Sequence, residues 1–295
     1  MGTFGGKKLP VETARHLAGE KSMKEANNSG QELTGQVAVV TGSSQGIGAG
    51  IATKLAKHGA KVMVHGLERE QGEKTVAALR ASGSEVELEI GDLKIEATCR
   101  KIIRRTIESF GRLDILVNNA AVVHRGNIEN TSVALWDEIF ATNLRAPFIL
   151  CQEAVNQMKR QEDSCPAAAP SRGCIINIGS VNAYVGLTKL LGYSASKGGL
   201  MTFTKNLAQY LTQYRIRVNQ INPGWVLTEG EDYVESVAEG RGPHWLEDAV
   251  KTRPFGRMLL PEDIARAALF FATNPMITGA VLDYEQLVSG ALSEL

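Results

Sequence analysis

The chain has 295 residues, of which 43% are hydrophobic and 22% charged, and its 32 basic side chains balance 32 acidic ones. That composition belongs to an ordinary globular protein with enough chain for one large α/β domain and its core. Zero net charge removes the bulk electrostatic case for a nucleic-acid or membrane-surface partner. No run of 18 apolar residues predicts a membrane-spanning helix.

Residues 1–32 are polar, lack sustained periodicity and read as a flexible extension; no apolar signal segment precedes the domain, which is expected to fill 33–295. From residue 36 the pattern changes. "VAVVTG" reads as a strand buried on both faces, and "IGAGIATKLAKHGA" as a helix stopped by glycine. "KVMVHG", "EVELEIGD" and "LDILVNNAA" read as the next three strands, with helices "REQGEKTVAALRASG" and "IEATCRKIIRRTIESFG" between them. Helices fill roughly 132–160, and a Pro/Ala-rich surface loop covers 161–173. "GCIINIGS" is a fifth strand, "YSASKGGLMTFTKNLAQYLTQY" a long helix, "IRVNQINPG" a sixth strand, "PEDIARAALFFAT" a helix and "GAVLDY" a final strand. The long polar stretch at about 225–257 reads as a lid or binding loop. Strands alternating with helices predict a parallel sheet of about seven strands with helices on both faces. The four cysteines, Cys99, Cys151, Cys165 and Cys174, show no C-x-x-C spacing, and the five histidines are scattered. They read as reduced thiols of a cytoplasmic protein without a metal site.

The first strand runs into "TGSSQGIG", a G-x-x-x-G-x-G turn built by Gly42, Gly46 and Gly48. Glycines there permit a tight turn and a close backbone approach to a pyrophosphate, which the following helix attracts with free N–H groups. Alone, the turn could be a plain glycine-rich connection. Tyr193 precedes Lys197 by one helical turn, so the two side chains share a face. That pair could equally be an ordinary surface contact. Asp92, Asn118, Asn119, Ser180 and "PGWVLT" follow or end strands, and in a parallel sheet all of them reach one edge.

In that order and spacing, "TGSSQGIG", "NNAA" (118–121), Asn143, Ser180, "YSASK" (193–197) and "NPG" (222–224) resemble the classical short-chain dehydrogenases/reductases over about residues 35–284. Ala121 stands where that family usually has glycine. The resemblance implies a Rossmann-type doubly wound sheet and an NAD(P)-dependent oxidoreductase acting on an alcohol/carbonyl pair. It makes Tyr193 the acid/base, its pKa lowered by Lys197 and by the positive charge of the nicotinamide, and Ser180 the partner of the substrate oxygen. Asn143 would position a relay water. It also implies that Gly42, Ser44, Gln45, Gly46, Ile47 and Gly48 hold the pyrophosphate. Leu67, Asp92, Leu93, Asn119 and Ala120 would line the adenosine end, and Pro223, Gly224, Val226 and Thr228 the nicotinamide end, with Tyr193 and Lys197. Asn182 and Trp225 would join Ser180 and Tyr193 on the substrate. After the second strand, Gly66 and Leu67 offer no donor, Glu68 repels a phosphate and Arg69 attracts one, which favours NAD over NADP by a small margin. The polar lid suits a sugar or polyol. The alternatives are a 3-oxoacyl thioester substrate and a non-catalytic nucleotide-binding protein. The resemblance further implies a homo-oligomer, a tetramer. The ending "YEQ" (284–286) departs from the family's acidic-glycine pattern, and the sequence offers no reason for it.

Overall fold

A computed structural model of the protein describes residues 30–161, 163, 171–184 and 187–288. Most of the predicted extension at 1–32 and of the loop at 161–173 lies outside those residues, as does Cys165. Seven strands form the sheet: β1 Val37–Val40, β2 Lys61–Gly66, β3 Val86–Ile90, β4 Ile115–Asn118, β5 Gly173–Ile178, β6 Ile216–Pro223 and β7 Val281–Tyr284. Their order is β3-β2-β1-β4-β5-β6-β7 and every pairing is parallel. The order reverses between β1 and β4, so a crevice opens past the carboxyl ends of those strands.

The helices are α1 Gly46–Lys57, α2 Arg69–Ala81, α3 Glu96–Phe110, α4 Val133–Phe140, α5 Ala146–Met158, α6 Leu191–Leu211, α7 Glu229–Tyr233, α8 Trp245–Lys251 and α9 Pro261–Thr273. Residue alternation on each strand sends side chains to two cores. Ala38, Val40, Val62 and Val64 pack with Ile51 and Leu55 of α1, Val76 of α2 and Ile264 of α9. Val39, Met63, Leu116 and Ile175 pack with Ile102 of α3, Leu150 of α5 and Leu211 of α6. Burial on both faces is why these strands are continuously apolar.

The expected lid or binding loop at about 225–257 is not a loop. Residues 229–251 carry α7, a π-helical turn at Val234–Ala238 and α8. Its polar pattern hid a small core of its own, in which buried Trp245, Ala249 and Met258 pack with Trp225 and Leu227. Helix α7 starts because the Thr228 hydroxyl accepts from Glu231 N at 3.1 Å, a side-chain N-cap. Helix α9 starts with Pro261 at its first position and with Asp263 Oδ2 accepting from Leu260 N at 2.9 Å.

The middle of the sheet is unexpectedly polar. Asn118 Nδ2 donates to Asn177 Oδ1, Asn177 Nδ2 to Thr204 Oγ1, Thr204 Oγ1 to Gln220 Oε1 and Gln220 Nε2 to Asn222 Oδ1, all at 2.7–2.9 Å. These side chains are buried, and such groups are tolerated only when bonded in this way. The ladder ends at the site: Asn222 Oδ1 also accepts from Ser180 N at 3.2 Å.

Candidate active site

The glycine turn follows from sterics. Gly42 has φ +61°, and a Cβ there would lie 2.9 Å from Ala120 Cα. At Gly48 a Cβ would lie 2.2 Å from the Gly42 carbonyl oxygen. Beneath the turn, buried His65 accepts from Gly42 N at its Nδ1 (3.2 Å), which leaves Nε2–H to donate to the Gly91 carbonyl (3.0 Å). Burial holds the His65 pKa below its ordinary value, so the ring stays neutral and keeps that acceptor. Thr41 Oγ1 accepts from the backbone N–H groups of Asn119 and Ala120, and Asn119 Nδ2 donates back to the Thr41 and Gly42 carbonyls. Asn119 therefore fixes the turn with its side chain. No side chain caps the N-terminus of α1, which leaves its first N–H groups open to an anion.

A cavity of about 880 Å³ runs from this turn across the switch point to β5 and the lid. Gly42, Ser44, Gln45 and Ile47 line its first part, with Leu67, Asp92, Leu93, Asn119 and Ala120 at the same end. Pro223, Gly224, Trp225, Val226 and Thr228 line the far part, where Ser180, Asn182, Tyr193 and Lys197 meet. Gly46 and Gly48 support the turn without lining this cavity, and Asn143 does not line it either. Gly46 faces a second cavity of about 840 Å³ on the outer side of α1.

Ser180 lies two residues beyond β5 rather than at its end. Gly179 makes this placement possible, since a Cβ there would lie 2.1 Å from Asn222 Oδ1. Ser180 Oγ accepts from Asn182 N (3.1 Å) and Asn182 Nδ2 (3.3 Å), so its own hydrogen is left to face Tyr193 or a bound group. Lys197 is buried, its Nζ donates to the Ile178 carbonyl at 2.7 Å, and it lies 5.6 Å from the Tyr193 ring centroid. Burial pushes the Lys197 pKa down to about 8. The expected lowering of the Tyr193 pKa is not what the protein alone produces. Burial raises it, the Ser180 hydroxyl lowers it, and the Glu231 charge raises it further. Asn143 sits in a π-helical turn, Ala141–Arg145, between α4 and α5 rather than inside a regular helix. Its amide grips one residue, accepting from Val122 N (2.9 Å) and donating to the Val122 carbonyl (3.0 Å), and it also donates to Ser196 Oγ. The extra residue of the π turn brings that side chain to the loop after β4.

Charged residues that no motif announced close the far end. Arg125 pairs with Glu235 (3.0 Å) and Glu239 (2.9 Å), Lys189 with Glu239 (3.0 Å), and Arg241 with Glu235 (2.7 Å). Arg125 and Lys189 come from loops after β4 and before α6, so the pairs tie the lid to the body. The ending "YEQ" also finds its reason. Glu285 accepts from Trp225 N (3.3 Å) and faces Arg253 (3.7 Å), while Gln286 accepts from Phe255 N (2.9 Å) and donates to the Arg257 carbonyl (2.6 Å). The segment after β7 thus pins both ends of the lid. The departure from the expected ending was the available signal.

Residues 36–237 match the family model described as short chain dehydrogenase. An uncharacterized oxidoreductase of Thermotoga maritima is 36% identical over 85% of this chain and 96% of the relative. The 3-oxoacyl-[acyl-carrier-protein] reductase FabG of Chlamydia pneumoniae is 32% identical over 82% of this chain and 91% of the relative. The structure of a short chain dehydrogenase from Burkholderia cenocepacia in complex with NADP superposes with TM-score 0.74 at 28% identity, covering 86% of this chain and 98% of that one.

Proposed function

The chain belongs to the short-chain dehydrogenases/reductases, and from that premise we propose that it interconverts an alcohol and a carbonyl on a sugar or polyol with Ser180, Tyr193 and Lys197 as the catalytic centre. Its class is that of an NAD(P)-dependent oxidoreductase acting on CH–OH groups. A dinucleotide fits the residues present: an uncapped helix N-terminus behind a glycine turn too tight for side chains, and one cavity joining that turn to Ser180 and Tyr193. Ser44, Gln45 and Ile47 would hold its pyrophosphate, Asp92 and Leu93 its adenine, and Val226 and Thr228 its nicotinamide. The bound nicotinamide supplies the hydride acceptor or donor.

In the oxidation direction the substrate hydroxyl accepts the Ser180 hydrogen and gives its own proton to the Tyr193 oxygen. Tyr193 works as phenolate, so its raised pKa must be countered. Lys197, protonated at neutral pH, supplies positive charge behind the ring. In the reverse direction Tyr193 returns the proton, and the Ser180 O–H steadies the negative charge that grows on the carbonyl oxygen. Asn143 holds the Val122 backbone at the wall of the site and so positions rather than reacts. The single observation that carries this reading is the convergence of Ser180, Tyr193 and Lys197 on one wall of the cavity that reaches the glycine turn.

A panel of sugars, polyols, hydroxy acids and simple ketones, followed by nicotinamide absorbance with each cofactor, tests it. Polyols or their carbonyl forms are expected to lead. Similarity to the Chlamydia reductase favours the second reading, a 3-oxoacyl thioester, and acetoacetyl-CoA as the best substrate would establish that instead.

For the cofactor, NAD is favoured over NADP by about tenfold, or 1.4 kcal/mol. Arg69, the one cation beside Leu67 in sequence, is exposed and pairs along α2 with Glu73 at 3.5 Å. No side chain fits at Gly66, where a Cβ would lie 2.7 Å from Ser44 Oγ. Leu67→Arg is expected to move preference towards NADP, read as the ratio of the two dissociation constants. An unchanged ratio would show that Leu67 does not face the ribose. We further place the enzyme in the cytoplasm as a homotetramer. No described helix is long and apolar enough to cross a membrane.

A further inference from the structure

Among the acids that line the main cavity, Glu231 stands apart. Glu235, Glu239 and Glu285 each face a cation within 4 Å. Glu231 has no such partner among the described residues; Arg125 and Lys189 act on it only at longer range. Its one side-chain hydrogen bond comes from Trp225 Nε1, at 2.6 Å to Oε1. Oε2 has no hydrogen bond among the described residues, and Glu231 lines the cavity that holds Ser180, Asn182 and Tyr193.

The Trp225 donor is held in place. Its ring lies 5.8 Å from the Arg241 guanidinium, 5.6 Å from that of Arg253 and 5.8 Å from the Trp245 ring. The Thr228 hydroxyl holds the Glu231 backbone from below. A carboxylate fixed this firmly, partly desolvated and left with a vacant oxygen, is a built acceptor. Burial raises its pKa, the expected mark of a carboxylate short of donors.

The surrounding charges say which donor. Arg125, Lys189, Arg241 and Arg253 are all committed to Glu235, Glu239 or Glu285. No lid cation is left for a carboxylate or phosphate. An ammonium would meet four cations around one unpaired anion. A neutral hydroxyl has neither difficulty.

We propose that Glu231 is a substrate-binding residue that accepts a hydrogen bond from a second hydroxyl of the substrate, beside the carbon that reacts at Tyr193. The substrate class is therefore an uncharged compound with neighbouring hydroxyl groups. This rests on the dehydrogenase reading above and narrows it.

The test compares cyclohexanol with cis-1,2-cyclohexanediol, which differ by one hydroxyl, using the full-length protein and NAD. The wild type is expected to favour the diol in kcat/KM by about tenfold to a hundredfold, the range of a hydrogen bond to a charged group. Glu231→Leu is expected to bring the ratio close to one, with the loss carried by the diol. Glu231→Gln, which keeps an acceptor oxygen, restores part of it. Glu229→Gln, on the exposed side of the same turn, keeps the wild-type ratio. A wild-type ratio near one, or a Glu231→Leu enzyme that keeps the preference, overturns the proposal and leaves the dehydrogenase reading standing. Failure to oxidise either alcohol, together with no turnover in the wider substrate panel, removes both.

Discussion

Lys197 shows what burying a charged group costs at the scale of one side chain. Its amine is buried against the Ile178 carbonyl with no carboxylate beside it, and burial brings its pKa down to about 8. The unfolded lysine titrates near about 10.4, so between those values the unfolded chain binds more protons. Stability contributed by this residue therefore rises as pH rises from about 8, and below that the cost is paid in full. Lys197→Met is expected to stabilise the cofactor-free protein at neutral pH by about 1–3 kcal/mol, net of the lost hydrogen bond, while abolishing turnover. Thermal unfolding checks the first part. A lower Tm than wild type would mean that the amine is stabilised where it stands. The pairing of Tyr193 with Lys197 was legible as a spacing on a helix face. The direction of the phenol's pKa was not, because it depends on burial and on Glu231, 38 positions away in sequence.

Elements divide by how locally they are determined. The strands and their order of appearance were readable because most are apolar runs closed by glycine or asparagine, and the glycine turn because its chemistry is local. The lid was misread as a loop. Its helices are short and polar outside, and the tryptophans that give it a core, Trp225 and Trp245, are 20 residues apart. The π turn at Asn143 was equally hidden, since one extra helical residue leaves no mark on composition. Long-range tethers to the lid come from Gln286, which bonds Phe255 N and the Arg257 carbonyl. Gln286→Ala is expected to speed amide hydrogen exchange at residues 253–257 and to raise KM more than it lowers kcat. Unchanged exchange there would show that Glu285 and the Arg253 contact hold the lid without it.

The molecule as a whole leaves apolar surface that its own cores do not use. Phe148 of α5 is 49% exposed and Tyr210 of α6 is 53% exposed, on neighbouring helices joined by the edge contact of Phe148 with Phe203. Leu200, by contrast, is buried in the protomer, and Phe203 and Leu207 pack partly on the core, so these side chains of α6 have little to offer a partner. The remaining face suits a symmetric contact. Sedimentation is expected to find a tetramer, and Phe148→Asp to reduce it to smaller species; a wild-type monomer at micromolar concentration would remove the assembly. Across this frame the sheet brings Ser180 from β5, Tyr193 and Lys197 from α6, and the glycine turn from β1 to one cavity, and the central claim is that Tyr193 moves the proton there. Tyr193→Phe deletes only the titrating oxygen. The most direct measurement is turnover of the best substrate from the panel by this variant, with NADH affinity measured alongside. Activity below about a thousandth of wild type with unchanged NADH binding is the predicted result, a loss in the usual range for a general acid/base. More than about a tenth of wild-type activity would contradict the assignment.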